Sequence, residues 1–277
     1  MKLQYGHQIL DLSHPHIMGV LNVTPDSFSD GGQFNQLDSA LAHAQQMQQQ
    51  GASIIDVGGE STRPGAEPVS VQEELDRVIP VVTKLANNMD VCISVDTSTP
   101  QVMREAAQAG AHFINDVRAL TREGAMQAAK DTGLPICLMH MQGDPKSMQN
   151  NPEYAQVVND VYDYLSERIE ACLQFGIALD QLLIDPGFGF GKTLEHNYQL
   201  LAQLDRFLEL KLPLLIGLSR KSMIGGVLDN RPPHERVSGS VAGALIAVMN
   251  GAQIVRVHDV QETSDALKVW QAAKQFA

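Results

Sequence analysis

The sequence predicts a (β/α)8 barrel, the TIM-barrel architecture of the α/β class, as a single domain over residues 1–277. Eight short apolar runs alternate with longer stretches of helical period. Three of the helical stretches end in Gly-Ala directly before an apolar run, and no low-complexity linker divides the chain. The length suits one such barrel, since these folds occupy about 250 residues or more as one unit. An open doubly wound sheet is the alternative.

The apolar runs are short enough to be strands that alternate with the helical stretches. They cover residues 16–23, 53–57, 91–95, 113–117, 136–139, 182–184, 214–218 and 254–257.

Between the runs, apolar residues recur three and four positions apart, as expected for helices that bury one face. The clearest series are Leu37, Leu41, Ala44 and Met47; Leu75, Val78, Ile79, Val82 and Leu85; and Val161, Leu165, Ile169 and Cys172. The Gly-Ala pairs at 51–52, 110–111 and 251–252 fit helix ends that lead into strands, because glycine accepts the positive φ needed just past a helix terminus.

Composition narrows the possible functions. Twenty Lys and Arg against 32 Asp and Glu give a net charge of −12, which argues against a general nucleic-acid binder. The three cysteines fit no zinc spacing and lie in apolar segments. The N-terminal segment lacks the apolar core of a signal peptide, and the longest apolar run, residues 241–249, is too short to span a membrane. We therefore expect a cytoplasmic protein without a membrane partner.

Polar side chains follow all eight predicted strands. One such residue is most simply a helix cap or a loop end, but eight together predict an active site, which TIM barrels build at the carboxyl ends of their strands. The eight strand ends carry Asn22; Asp56; Asp96; Asn115 with Asp116; His140; Asp185; Ser219; and Arg256 with His258. Five cationic or titratable side chains, Arg63, Arg220, Lys221, Arg256 and His258, are expected to converge there and favour an anionic, phosphorylated ligand.

The segment 185–193, DPGFGFGKT, resembles a phosphate-binding P-loop at first sight. It has three residues between Gly187 and Gly191, whereas the P-loop motif needs four before Gly-Lys-[ST]. We interpret it as a loop that brings Phe188 or Phe190 to the rim of the barrel, with ordinary packing beneath the loop as the alternative for each.

Transition-metal catalysis is not indicated. His140 belongs to no HxH or HExxH pattern, and a lone histidine after a strand is more often a hydrogen-bonded structural residue. A Mg²⁺ ion held by one protein oxygen and several phosphate oxygens needs no more than Asn22.

Two loops are rich in turn-forming residues, 24–32 (TPDSFSDGG) and 60–66 (ESTRPGA). Each carries one bulky or charged residue, Phe28 and Arg63 respectively, among small ones. Surface connections could have this composition, but it also suits lids that close over a substrate.

Across essentially its whole length, the chain resembles the bacterial dihydropteroate synthase family, the folate-pathway enzymes targeted by sulfonamides. The shared motifs are MGVLNVTPDSFSDGG at 18–32, GGESTRPG at 58–65, SVDT at 94–97, INDV at 114–117, MHMQG at 139–143, DPGFGFGK at 185–192, SRKS at 219–222 and RVHD at 256–259. The first two and Ser-Arg-Lys are specific to the family. Asp96, Asn115 and Asp185 are also expected in related pterin-binding methyltransferase barrels.

The resemblance implies one pterin-binding TIM-barrel domain over residues 1–277, in which 6-hydroxymethyl-7,8-dihydropterin diphosphate and p-aminobenzoate condense and diphosphate leaves by an SN1-like displacement. It implies a pterin site, a diphosphate site and an aminobenzoate site. The pterin site comprises Asp96, Asn115, Met139, Asp185, Phe190 and Lys221; the diphosphate site comprises Asn22 with Mg²⁺, Thr62, Arg63, Arg256 and His258; the p-aminobenzoate site comprises Phe28, Pro64, Phe190, Ser219 and Lys221.

By the same resemblance, the catalytic groups are Arg63, Lys221, Arg256 and His258, and sulfonamides are competitive analogues of p-aminobenzoate. A homodimer formed through the last helices is also implied. Two alternatives stay open. A methyltetrahydrofolate-binding methyltransferase barrel predicts a corrinoid-binding partner and no aminobenzoate pocket, and a pterin-binding protein without catalysis predicts no release of diphosphate.

Overall fold

The structure is a computed structural model that describes residues 2–5, 8–23, 33–60, 69–143, 148–149 and 151–276. Within these residues, eight parallel strands alternate with helices and curve into a barrel, as the sequence predicts. The barrel strands are β3 (His16–Asn22), β4 (Ile54–Gly58), β5 (Cys92–Asp96), β6 (Phe113–Asp116), β7 (Ile136–Met139), β8 (Leu182–Asp185), β9 (Leu215–Ile216) and β10 (Ile254–Val257).

The helices cover the outside of the sheet. They are α1 (Gln33–Gln50), α2 (Val71–Asn88), α3 (Pro100–Gln108), α4 (Ala125–Thr132), α5 (Val157–Phe175), α6 (Leu194–Ala202), α7 (Ser222–Gly226), α8 (Val237–Met249) and α9 (Val260–Lys274), with short 3₁₀ helices at Leu179–Gln181, Leu204–Leu210 and Pro233–Glu235. An N-terminal hairpin, β1 (Lys2–Tyr5) with β2 (Gln8–Asp11), precedes the barrel and was not predicted.

The spatial order of the strands is β8-β7-β6-β5-β4-β3-β10-β9, and a parallel bridge between Ile184 and Leu214 brings β8 beside β9. This order decides between the two predicted architectures, because an open doubly wound sheet leaves its edge strands apart. The predicted helix ends are also confirmed: Gly51, Gly110 and Gly251 have φ of 113°, 105° and 104°.

Each barrel strand contributes one apolar side chain to a buried cluster at the amino-terminal end of the barrel, which we call the lower layer. Its members are Met18, Ile54, Cys92, Phe113, Cys137, Leu183, Leu215 and Ile254. Leu10 and Leu12, in and just after the hairpin, pack against this layer and close the bottom of the barrel.

Alternation along a strand places the residue two positions further on the same face. The eight residues reached in this way form the upper layer of the barrel interior. They are Val20, Asp56, Ser94, Asn115, Met139, Asp185, Gly217 and Arg256. The pleat of the strands therefore carries a mostly polar set of side chains directly above the apolar layer. Among the helices of the described ranges, none combines the length and hydropathy required to cross a bilayer.

Candidate active site at the carboxyl ends of the strands

A buried carboxylate organises the upper layer. The Asp56 side chain is fully buried, and one of its oxygens accepts a hydrogen bond from Ser94 Oγ at 2.5 Å. Its other oxygen accepts from Asn115 Nδ2 at 3.2 Å and from Arg256 Nε at 2.6 Å. Asp56 thus joins three other strands across the barrel. Asp56 was predicted to lie at a strand end without a role of its own. The available signal was its position two residues after Ile54, which puts both side chains on the same face of the strand.

Arg256 also connects this network to Asp96, whose Oδ2 lies 2.9 Å from Arg256 Nη2. Burial raises the pKa of Asp96 to about 7, and the nearby guanidinium opposes that shift. The predicted pterin residues Asp96 and Asn115 and the predicted diphosphate residue Arg256 share one network.

Asp185 and Lys221 lie on the neighbouring side of the mouth. The Asp185 carboxylate accepts a hydrogen bond from the backbone N–H of Gly187 at 2.7 Å, and burial raises its pKa while Lys221 opposes the shift. Burial also lowers the pKa of Lys221 to about 8. Gly217 contributes no side chain here, and a Cβ at that position would contact Arg256 and Lys221 at 3.7 and 4.0 Å.

The two phenylalanines of the loop after β8 lie in different environments. Phe188 is fully buried in the core between the barrel and its helices. Phe190 packs in a small apolar cluster with Val117, Met139 and Met148. The centroid of its ring lies 4.6 Å from Lys221 Nζ. The rim interpretation is therefore confirmed for Phe190 and the packing alternative for Phe188. Met139 and Phe190 form an apolar wall beside the charged groups.

Two further predicted residues meet above β9 and β10. The backbone N–H of His258 donates to Ser219 Oγ at 3.2 Å, and His258 Nδ1 lies 3.2 Å from the same oxygen. Ser219 is buried, whereas His258 is partly exposed.

Asn22 ends β3 and lies beside Gly58. A Cβ added at Gly58 would lie 3.7 Å from Asn22 Oδ1 and 3.7 Å from Asp96 Oδ2, so the glycine leaves an oxygen-lined gap open. Hard oxygen donors suit Mg²⁺, which commonly binds one or two protein oxygens together with substrate phosphates. Within the described ranges, His, Cys, Asp and Glu form no group of three that could hold a metal by themselves.

The structure places one predicted residue, Arg220, elsewhere and does not describe four others. Phe28, Thr62, Arg63 and Pro64 lie outside the described residues. Arg220, which was expected to converge with the other cations, instead donates twice to the Asp259 carboxylate. The structure therefore pairs the Arg220 guanidinium with Asp259 and not with the other predicted cations.

Two polar strand ends have structural roles. Asp116 accepts hydrogen bonds from Ser98 Oγ and from the backbone N–H groups of Arg118 and Leu120, so it fixes the turn after β6. His140 follows the inward-facing Met139 and packs edge-on against Tyr164 of α5, with 4.8 Å between ring centroids. The structural interpretation of the isolated histidine is therefore confirmed.

The family described as pterin binding enzyme matches residues 18–258 of the chain. The dihydropteroate synthase of Escherichia coli K12 is 61% identical, covering 98% of this chain and 96% of that protein, and the one from Haemophilus influenzae is 57% identical over 98% of each. The crystal structure of Yersinia pestis dihydropteroate synthase with a sulfonamide drug superposes with a TM-score of 0.95 at 58% identity, covering 99% of this chain and 100% of that one.

The barrel and the buried polar mouth define a pterin-binding TIM-barrel enzyme. Within that class, the chain belongs to the bacterial dihydropteroate synthase family, as its motifs predict.

Proposed function

We propose that this chain condenses 6-hydroxymethyl-7,8-dihydropterin diphosphate with p-aminobenzoate to give 7,8-dihydropteroate and diphosphate. The main support for the proposal is the mouth of the barrel. Its buried carboxylates and Lys221 lie there beside the apolar wall of Met139 and Phe190. The relatives support it. Structures of Xanthomonas albilineans dihydropteroate synthase hold 4-aminobenzoic acid in one case and 7,8-dihydropteroate in another, at 50% and 47% identity to this chain.

The hydrogen-bonding groups of the pterin ring match the polar side chains deep in the mouth of the barrel. Its 2-amino-4-oxopyrimidine edge carries adjacent N–H donors, which an ionised Asp185 can accept together. Lys221 then donates to ring acceptors, Asn115 and Asp96 complete the polar edge, and Met139 and Phe190 contact the ring faces. Recognition here relies on partners that are already buried and oriented before the ligand arrives.

The diphosphate is proposed to lie above the pterin, near Asn22, Arg256 and His258, with Thr62 and Arg63 contributing from the loop after β4. Asn22 Oδ1 would hold Mg²⁺ together with phosphate oxygens. The ion would supply positive charge to the leaving diphosphate. Asp96 and Asp56 hold the Arg256 guanidinium in place at the base of this region.

The p-aminobenzoate is proposed to bind at the outer rim, where Ser219, Lys221 and Phe190 are joined by Phe28 and Pro64. Its amino group is neutral at pH 7, so the reaction needs little help from a base. The electron-rich dihydropterin stabilises a developing methylene cation, and an SN1-like displacement follows once the charge of the departing diphosphate is stabilised. Sulfonamides, which carry the same aniline group, are expected to compete for this position.

The direct test is a coupled assay of diphosphate release with both substrates and Mg²⁺. We expect release only when both substrates are present, dihydropteroate as the product, and loss of turnover after treatment with EDTA that Mg²⁺ restores. Pterin binding without diphosphate release would instead identify a non-catalytic pterin-binding protein. Methyl transfer from methyltetrahydrofolate to a corrinoid would identify the related methyltransferase class. Full turnover in EDTA would exclude the role of Mg²⁺.

We also propose a homodimer through the last helices, in the cytoplasm. α8 is apolar around most of its circumference, and Ile246 and Met249 are 44% and 62% exposed on its outer face. On the adjacent α9, Val269 is 71% exposed. Covering these side chains removes apolar area from water. Sedimentation should give a dimer that Met249→Glu weakens; a wild-type monomer at micromolar concentration would contradict the proposal.

A further inference from the structure

The loop after β8, residues 187–191, has an unusual set of hydrogen bonds. All five of its backbone carbonyls accept from side chains. Gly187 O and Phe190 O accept from Lys192 Nζ at 2.9 and 3.1 Å, Phe188 O from Lys221 Nζ at 2.6 Å, Gly189 O from Gln149 Nε2 at 2.5 Å, and Gly191 O from Tyr154 Oη at 2.8 Å.

The loop also lies directly on the end of β7. A Cβ added at Gly187 would approach His140 O to 1.8 Å, and one at Gly191 would approach Gln142 O to 2.5 Å. Both glycines have positive φ, of 71° and 62°. The backbone is therefore held in a conformation that only glycine accepts at these two points, and the side-chain donors fix it from outside.

Lys192 is the most unusual of these donors. It is 3% exposed, and no carboxylate of the described residues lies within ion-pair distance of it. Its third partner is His140 Nδ1, at 2.9 Å. An ammonium group rarely occupies a buried position unless it is paired. Burial lowers the pKa of Lys192, whereas the Asp185 carboxylate opposes that shift, and the three acceptors around Nζ match the three donors of the ammonium form. Burial, together with this neighbouring ammonium, lowers the pKa of His140 to about 2. His140 is therefore neutral and can accept from Lys192.

The loop connects these donors to the proposed pterin site. Gly187 N–H donates to Asp185, Lys221 contacts Phe188 O, and Phe190 forms the apolar wall. Asn197 Oδ1 of α6 accepts from Gly189 N–H at 2.7 Å. A change in the loop backbone would consequently move three groups that are proposed to touch the pterin.

We infer that Lys192, oriented by His140, is a positioning residue for pterin recognition: it holds the 187–191 backbone so that Asp185, Phe190 and Lys221 present the geometry the ring requires. This inference rests on the proposed function, since it needs a pterin in the mouth. It also gives Lys192 a role in the family motif other than phosphate binding.

The first test compares Lys192→Met with the wild type in calorimetric binding of the pterin diphosphate, without p-aminobenzoate. Methionine keeps the length and apolar stem of the side chain but removes all three donors. We expect affinity to fall at least tenfold. Leu85→Ala is the matched control, because Leu85 is fully buried in α2, away from the loop. It should lower the melting temperature while leaving the affinity within twofold of wild type.

A second pair of variants separates positioning from loss of packing. His140→Asn and His140→Leu introduce side chains of the same branched shape, but only asparagine keeps an acceptor for Lys192 near the position of Nδ1. We expect His140→Asn to bind the pterin at least fivefold more tightly than His140→Leu. This pair decides the question if Lys192→Met does not fold.

The pH dependence supplies a readout that packing alone would not move. Asp185 faces Lys192 and Lys221, Arg256 of β10 and Cys137 of β7. Removing the Lys192 charge should raise the pKa of Asp185, so that pterin affinity is lost at a higher pH on acidification than in the wild type. Wild-type affinity in Lys192→Met, or equal binding by the two His140 variants, would overturn the inference. Absence of pterin binding by the wild type would instead overturn the proposed function.

Discussion

The lower and upper layers of the barrel occupy the same strands, two residues apart, and differ in almost every physical respect. The lower layer contains eight apolar side chains that are at most 1% exposed. The upper layer contains two aspartates, an arginine, an asparagine and a serine, with one glycine and two apolar residues. The backbone conformation is shared, so the side chains alone determine which layer fills the barrel and which can bind a ligand.

The energetic demands on the two layers are different. An apolar layer needs matching volume, because close packing and removal of apolar area from water stabilise it. A buried polar layer needs a partner for every group, since an unpaired buried donor or acceptor costs about 1–3 kcal/mol. Within the described residues, no buried side-chain nitrogen or oxygen lacks a hydrogen-bond partner. Asp56 therefore serves to hold Ser94, Asn115 and Arg256 in one arrangement.

The largest expected effect tests the lower layer. Leu183→Ala removes a fully buried side chain of β8, and substitutions of this kind cost about 2–5 kcal/mol of unfolding free energy. We expect that loss in chemical denaturation, with pterin affinity within twofold of wild type. A large loss of affinity at full folding would mean that the two layers are not separable.

The pH dependence of the pterin reaction tests the upper layer. Asp96 is ionised above its pKa of about 7, and Lys221 is charged below its pKa of about 8. If pterin recognition needs both charges, kcat/KM for the pterin substrate should peak between these values and fall about tenfold per unit on either side. Asp96 and Lys221 interact electrostatically, so both limbs report on the network that contains them.

A control variant makes the assignment specific. Lys221→Arg keeps a positive charge at high pH, so it should flatten the basic limb even if the overall rate falls. A flat profile from pH 6 to pH 9 in the wild type would remove both groups from pterin recognition.

The smallest expected effect on substrate binding concerns Arg220. Arg220 is partly exposed but its partner Asp259 is buried, so Arg220→Ala leaves a buried carboxylate without two of its donors and should cost about 1–3 kcal/mol of unfolding free energy. KM for both substrates should stay unchanged. A marked rise in KM for the pterin diphosphate would restore Arg220 to the ligand-binding cations.

Most of the fold could be predicted from the sequence. The eight apolar runs correspond to the eight barrel strands because a strand buried on both faces must be apolar over most of its length. The glycines at the helix ends correctly predicted where helices lead into strands, because the positive φ needed there is set by local geometry. The N-terminal hairpin was missed because no local pattern predicts it. Leu10 and Leu12, in and just after the hairpin, are apolar because they cover the bottom of the barrel, which forms only in the folded chain.

The site was predicted less completely, for a physical reason. Strand ends identify which residues reach the mouth, but not which charges compensate each other there. Asp56 and Asp259 take up the charges of Arg256 and Arg220 through contacts that span 200 and 39 positions of sequence. The role of Lys192 was hidden likewise, because its three acceptors are two backbone carbonyls and a histidine, none of which a motif displays. The roles assigned to Phe28, Thr62, Arg63 and Pro64 stay predictions.

The most direct test of the difference between the layers uses two residues of one strand, Asp185 and Leu183. Asp185→Asn keeps an oxygen for the Gly187 N–H but removes the charge that accepts both pterin donors. Calorimetry measures the pterin affinity of both variants, and thermal denaturation measures their melting temperatures. Asp185→Asn should lose at least tenfold in pterin affinity with little change in melting temperature. Leu183→Ala should instead have a lower melting temperature and nearly unchanged pterin affinity. Unchanged pterin affinity in Asp185→Asn would contradict the account.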